Sequence, residues 1–317
     1  MTNTPTARQH TIADRIDLSG VGVHSGKPVS ISLLPADADT GIVFQRTDID
    51  DQRDIPARSD ALCGTDLCTV LGDPAGAHVA TVEHLMAALI ALQVDNAVIE
   101  IDAPEVPVMD GSSEVFVRAI DAVGVTAQAS YRRFLRVKRE VRFDMGPSWG
   151  LFTPYDGQRF EVEIDFDTPL IGRQRFASDL TPDVFRRELS RARTFGFMND
   201  VERLWAAGFA LGSSLENSVV ICKDNKIINP EGLRYDSEFV RHKALDAVGD
   251  LALAGAPILG AFRSYRGGHK LNALALRELM ADPDNFEWVD VTARSRGAAP
   301  RPGLRAVAAP AYAADKS

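Results

Sequence analysis

Between residues 8 and 58 apolar and polar positions alternate in short runs, with Gly20, Gly22, Gly26 and Pro35 as punctuation. A period of two turns one side of each run toward a core, so strands are predicted over 12–18, 29–34 and 41–46. The period lengthens at VEHLMAALIAL, which reads as a helix to about Leu92 with Thr81 as its N-cap. An apolar strand over 97–101 follows, then a turn at Met109-Asp110-Gly111 and a second helix to about Val123, capped by Ser112 or Ser113. Around 127–130 the pattern resets. Strands are predicted over 134–143, 149–154 and 160–166, and Pro182 suits the first turn of a helix to about Leu189. Extended chain over 194–197, a short helix over 200–207 and a strand over 219–222 come next. A long helix then runs from Ser237 to about Ala254, with Gly255 as its stop. A strand over 258–265 and a helix over 271–280 follow. Beyond Thr292 the residues are Ala, Pro, Arg and Gly without a period, and a flexible tail is expected over 293–317.

The two halves echo one another. Each runs through strands, a helix with a histidine in its first turns (Val82-Glu83-His84, then Val240-Arg241-His242), an apolar strand and another helix. The expectation is an α+β fold of two similar domains, 1–130 and 131–292, with a ligand cleft between them.

Composition narrows the chemistry. With 45% hydrophobic and 25% charged residues, the 317-residue chain has the profile of a water-soluble globular protein that buries a core without disulfides. A net charge of −9 argues against a nucleic-acid partner, although a few local cations can still bind an anionic small molecule. Cys63, Cys68 and Cys222 are odd in number and lack a close pair, which fits a reducing compartment better than a disulfide scaffold. As metal ligands, Cys63 and Cys68 are too loosely spaced to carry weight. The opening MTNTPTARQH has no apolar segment of the secretory kind, and no run approaches the ~18–20 apolar residues of a membrane span. A cytoplasmic protein is expected.

Chemistry concentrates on the long helix. His242, Asp246 and Asp250 fall at i, i+4 and i+8, on one face of a stretch otherwise rich in Ala, Leu and Val. A buried carboxylate needs a partner, and an imidazole and a carboxylate one turn apart can both grip a zinc ion at about 2.0–2.2 Å. The same spacing also makes an ordinary hydrogen bond between His242 and Asp246. His84 would supply a third ligand and leave a fourth position open, the pattern of catalytic zinc, although taken singly Glu83 and His84 read as a solvent-facing glutamate and a capping histidine. Glu83 beside it is placed to take a proton from water. No H-E-x-x-H is present, which disfavours a zincin peptidase. His269 follows Gly267-Gly268 and is a candidate acid for a leaving amine, with Asp250 placed to hold its imidazole. His24 sits among glycines outside any dinucleotide-binding context.

TVEHLMAAL, MDGSS, SRARTFGFM, EFVRHKALDAVGDLALAG and GGHKLN stand in the order and roughly the spacing of one family. From about Arg8 to about Glu287 the chain resembles the UDP-3-O-acyl-N-acetylglucosamine deacetylases of lipid A biosynthesis. The resemblance implies two domains, each pairing a mostly antiparallel sheet with helices, the helices packed between the sheets. It implies hydrolysis of the acetamide of UDP-3-O-(3-hydroxyacyl)-N-acetylglucosamine to acetate and a free amine, the committed step of that pathway. His84, His242 and Asp246 would hold one Zn2+, for which Fe2+ can substitute in the cell, and Glu83 would be the general base. His269, backed by Asp250, would protonate the leaving nitrogen, and Thr194 would donate to the tetrahedral intermediate. Lys243, Asp165 and Phe166 match positions near the nucleotide sugar. Phe195 and the insert over 198–220, with Val201, Ala210, Ser213 and Ser218, match an apolar passage for the acyl chain. A monomer is expected, with the acylated UDP-sugar as its partner. Relatives favour glycine at Ser213 and a small apolar residue at Ser218. A hydroxyl facing the passage without a partner would favour shorter acyl chains, and one bonded to its neighbours would not. A hydrolase of another acylated amine and a non-catalytic sugar-nucleotide binder are the competing readings.

Overall fold

The computed structural model describes residues 8–50 and 54–290. The first half runs through β1 (Arg8–Ile12), β2 (Ile16–Val21), β3 (Pro28–Pro35), β4 (Ile42–Arg46), β5 (Asp54–Pro56), β6 (Leu62–Gly64), β7 (Val70–Gly72) and β8 (His78–Ala80). These lead to α1 (Glu83–Ala91), β9 (Ala97–Ile101) and α2 (Glu114–Val123). Next come β10 (Val125–Tyr131), β11 (Arg133–Val137), β12 (Val141–Met145), β13 (Ser148–Thr153), β14 (Gln158–Asp165) and β15 (Arg173–Asp179). A short α3 (Pro182–Val184) runs on as a π-helical turn to Leu189, before β16 (Phe195–Phe197), α4 (Met198–Ala206) and β17 (Val219–Ile221). Then α5 (Glu238–Leu251) tightens into a 3₁₀ turn, and β18 (Ile258–Tyr265), α6 (His269–Met280) and β19 (Phe286–Asp290) follow.

The fold is α+β with two large sheets. A five-stranded sheet, β2-β3-β9-β4-β5, is antiparallel except where β4 meets β9. A seven-stranded sheet is built on β18, which pairs antiparallel with β13 and parallel with β14 and β11. Alternation drives both: Ala97, Ile99 and Ile101 of β9 and Phe160, Val162 and Ile164 of β14 are buried, with half-exposed residues between them. Helices α1 and α5 pack against each other between the sheets, and one continuous apolar core joins them to both. Nearly every side chain of α1 is buried, and on α5 only Arg241 and Lys243 escape full burial. A helix apolar all round needs packing on every side.

Several expectations change. The strand expected over 12–18 breaks into β1 and β2, where the Ala13 N–H reaches the Gly124 carbonyl at 2.9 Å. The one expected over 134–143 becomes β11 and β12, since the Lys138 N–H turns to the Asn285 carbonyl at 2.7 Å. The reset expected at 127–130 lies within β10, which pairs with β1. Thr81 does not cap α1: its φ is +59°, its hydroxyl donates to Glu105 Oε1 at 3.0 Å, and the helix starts at Glu83. At α2 it is Ser112 whose hydroxyl accepts the Glu114 N–H (3.2 Å), while Ser113 donates to the His84 carbonyl at 2.7 Å. No helix among the described residues is long and apolar enough to cross a membrane. The tail expected over 293–317 lies outside the described residues.

Candidate metal centre

Where α1 and α5 cross, a Cβ on Gly249 would stand 2.0 Å from the Glu83 carbonyl oxygen. Only glycine admits that approach, and it sets the first turn of α1 beside the C-terminal half of α5. His84, His242 and Asp246 thereby each offer one ligand atom, all within 4.8 Å of one another and all buried. Asp246 Oδ1 lies 3.3 Å from His242 Nε2 and 3.6 Å from His84 Nε2. His242 Nδ1 faces the Ala192 carbonyl at 3.1 Å, so it carries the proton and leaves the Nε2 lone pair toward the cluster. Burial, only partly offset by Asp246, lowers the His242 pKa to about 3 and keeps the ring neutral, as a ligand must be. Burial also opposes ionisation of Asp246, but attraction from cationic neighbours, Lys243 among them, holds its carboxyl well below the usual range. Its Oδ2 accepts from Lys243 Nζ at 2.9 Å, whereas the buried Oδ1 has no hydrogen-bond partner. An orphaned carboxylate oxygen facing two imidazole nitrogens fits a first-row divalent cation with one position left open.

A second cluster lies against the first. His269 Nδ1 is 2.9 Å from Asp250 Oδ2, and His269 Nε2 is 3.8 Å from Glu83 Oε1. Asp250 also accepts from the Thr69 hydroxyl (2.6 Å) and the Asn272 amide (2.8 Å), and Glu83 Oε2 accepts from the Thr69 N–H at 3.1 Å. Burial alone would lower the His269 pKa, yet Asp250 and Glu83 together push it up to about 10. Burial raises the Glu83 pKa against the pull of His269. A carboxyl group and an imidazole held in its charged form therefore face each other beside the candidate metal ligands, the complement needed to take one proton and give another.

Glu83, His84, Thr194, Phe195, Lys243 and His269 share one cavity of about 190 Å³, and Val201, Ala210, Ser213 and Ser218 line its other wall. Asp165 and Phe166 border an opening of about 320 Å³ that Lys243 shares with it. Asp250 stands behind His269. The Thr194 backbone is pinned by its N–H to Gly111 O at 2.8 Å, and its hydroxyl makes no hydrogen bond to any described residue. Ser213 and Ser218 hydroxyls lie 3.2 Å apart and Ser218 donates to Asn217 Oδ1 at 3.1 Å, so neither is left unpaired.

Residues 9–281 match the family described as UDP-3-O-acyl N-acetylglycosamine deacetylase. Proteins of Brucella ovis and Brucella canis named UDP-3-O-acyl-N-acetylglucosamine deacetylase are 60% identical over 284 residues, spanning 90% of this chain and 99% of theirs. The chain belongs to this deacetylase family.

Members of a deacetylase family need more than ligands, and here the supporting residues carry no sequence signal of their own. Thr69 sits in an unremarkable CTVLG run, yet its N–H and hydroxyl touch Glu83 and Asp250. Arg193 and Glu238, buried and bonded at 2.9 Å, tie the segment that carries Thr194 and leads into β16 to the start of α5. Arg266 lines the outer opening 3.6 Å from Asp165. Arg193 and Lys243 do fall in recognisable runs, RART and HKALD, but long-range pairing decides what they hold.

Proposed function

We propose that this protein hydrolyses the acetamide of UDP-3-O-(3-hydroxyacyl)-N-acetylglucosamine, releasing acetate and a free glucosamine amine as the committed step of lipid A biosynthesis. The observation that carries the reading is the His84–His242–Asp246 cluster beside the Glu83–His269–Asp250 chain, in a member of this deacetylase family. The residues would hold one Zn2+, with Fe2+ acceptable to the same donors in the cell. When bound, such an ion supplies Lewis acidity toward the amide carbonyl and eases deprotonation of water.

The protein's own groups do the rest. Glu83 takes a proton as the water oxygen adds to the acetyl carbon. The Thr194 hydroxyl donates to the oxygen that becomes negative, and the His269 cation stabilises the same charge. The C–N bond then breaks as His269 Nε2 passes its proton to the nitrogen, while Asp250 fixes the ring through Nδ1. Lys243, Asp165 and Phe166 would bind the nucleotide sugar at the outer opening. Phe195, Val201, Ala210, Ser213 and Ser218 would line the acyl passage. Because the two serines bond to each other and to Asn217, they are expected to affect chain length through bulk alone. Two domains, 1–130 and 131–292, would close on this cleft. A monomer acting in the cytoplasm fits a nucleotide-sugar substrate and three free cysteines. A mere binding protein would need neither Glu83 nor His269.

The test is product analysis with the acylated UDP-sugar. Acetate and a free amine in equal amounts, with the ester intact, are expected. Release of the fatty acid, or no acetate, would contradict the assignment.

A further inference from the structure

His24 lines the same cavity as Glu83 and His269 but is idle in the mechanism above. It sits in the turn between β2 and β3, which is held in place with unusual thoroughness. Glu105, 4% exposed, accepts the His24 N–H at 2.9 Å, the Ser25 N–H at 3.0 Å and the Thr81 hydroxyl at 3.0 Å. A Cβ on Gly22 would stand 2.2 Å from the Glu105 carboxylate, so the turn closes tightly on it. From the other side the insert docks on the turn: the Leu211 N–H reaches His24 O at 3.2 Å and the Gly212 N–H reaches Val23 O at 3.0 Å. Phe209 meets the His24 ring edge-on at 6.1 Å. The ring is therefore fixed at the junction between the reacting groups and the wall of the acyl passage.

Its nitrogens differ. Nδ1 is buried with no partner, whereas Nε2 is neither hydrogen-bonded nor among the buried unpaired atoms. Burial lowers the His24 pKa, opposed by Glu105, so the ring is neutral near pH 7 and one nitrogen keeps a lone pair. A buried N–H without an acceptor is rarer and costlier than an under-used acceptor. The proton belongs on Nε2, the nitrogen with access to the cavity.

On the substrate proposed above the acyl ester is on the sugar carbon next to the one bearing the acetamide. Its carbonyl oxygen must fall a few ångströms from the scissile bond, on the side of the acyl passage. The hydroxyls of Ser213 and Ser218 there already bond to one another and to Asn217. We infer that His24 is a specificity residue whose Nε2–H donates a hydrogen bond to the carbonyl oxygen of the 3-O-acyl ester, with Glu105 as its positioning residue. The inference rests on the 3-O-acylated substrate of the proposed function.

The experiment compares acetate release from the 3-O-acyl ester and from a 3-O-alkyl ether of equal length, which lacks the carbonyl. Wild type should favour the ester in kcat/KM by about 10- to 100-fold, the usual loss when a buried donor has no acceptor. His24→Phe keeps an aromatic ring against Phe209 and removes the donor; it should erase that preference, through KM more than kcat because the ester does not react. His24→Gln, whose amide reaches toward the Nε2 position, should restore part of it. Equal losses on ester and ether in His24→Phe, or an undiminished ester preference in both variants, would overturn the inference. Acetate from neither substrate in wild type would instead overturn the proposed function, and this inference with it.

Discussion

Glu83 and Asp250 are two buried carboxylates in one site, and their neighbours give them different work. Glu83 opens on the cavity, with one backbone donor and an imidazole at 3.8 Å. Asp250 is enclosed by the Thr69 hydroxyl, the Asn272 amide and His269 Nδ1, all within 2.9 Å. Glu83→Gln should keep the metal and lower kcat by about 10²–10⁴, the range for a positioned general base. Metal analysis beside single-turnover rates checks this, and loss of metal would make Glu83 a ligand instead. His269 acts while protonated, so the rate falls as pH rises through its pKa, which the two carboxylates hold near 10. Asp250→Asn removes one of them and should move the basic limb of kcat/KM to lower pH. A limb that stays put would place His269 outside the reaction. At this scale the candidate ligands were legible because His242 and Asp246 share a helix face and His84 sits next to a carboxylate, and the structure brings the three together. Thr69 and Asn272 were not, because each acts across a tertiary contact that no local spacing encodes.

At the scale of elements, the site depends on how closely α1 and α5 approach. Gly249→Ala would push a methyl group into the Glu83 carbonyl, 2.0 Å away, and also toward the Ala87 nitrogen at 3.1 Å. Overpacking of this kind costs about 1–3 kcal/mol, and here the strain falls on the turn that carries His84. The variant should show a lower melting temperature together with weaker metal retention. Unchanged values for both would mean that the helices part without moving the ligands. The long buried helix and β18 were legible from periodicity and stop signals, and β18 has the predicted bounds. Strands β10 and β15 escaped notice because they are largely exposed: VTAQASY and RQRFASD leave no apolar face to count. Backbone pairing with β1 and β14 holds them, and that information lies far away in the chain.

For the molecule as a whole, one core spans both sheets, so its stability should respond as a unit to buried ionisable groups. Burial, against the attraction of Asp95 and with repulsion from Arg132, lowers the His10 pKa from 6.5. The unfolded chain then takes up this proton first, so stability is full above pH ~6.5 and declines as pH falls toward the folded-state value. Urea midpoints at pH 7.5 and 5.5 should differ less in His10→Gln than in wild type, and an equal difference would remove His10 from the account. The α+β class could be read from the alternation of strands and helices, and the candidate site residues from motifs spread over most of the chain. The sheet order could not, since it rests on pairings such as β3 with β9 that span about 60–70 residues. On the proposed function, one metal ion on His84, His242 and Asp246 makes this chain a deacetylase. The most direct test is titration of Zn2+ into chelator-stripped protein while acetate release from the acylated UDP-sugar is followed. Activity should rise from near zero to a plateau at about one equivalent per chain, with His242→Ala showing neither tight uptake nor recovery. Full acetate release by the metal-free protein, or undiminished uptake and activity in His242→Ala, would contradict this metal dependence.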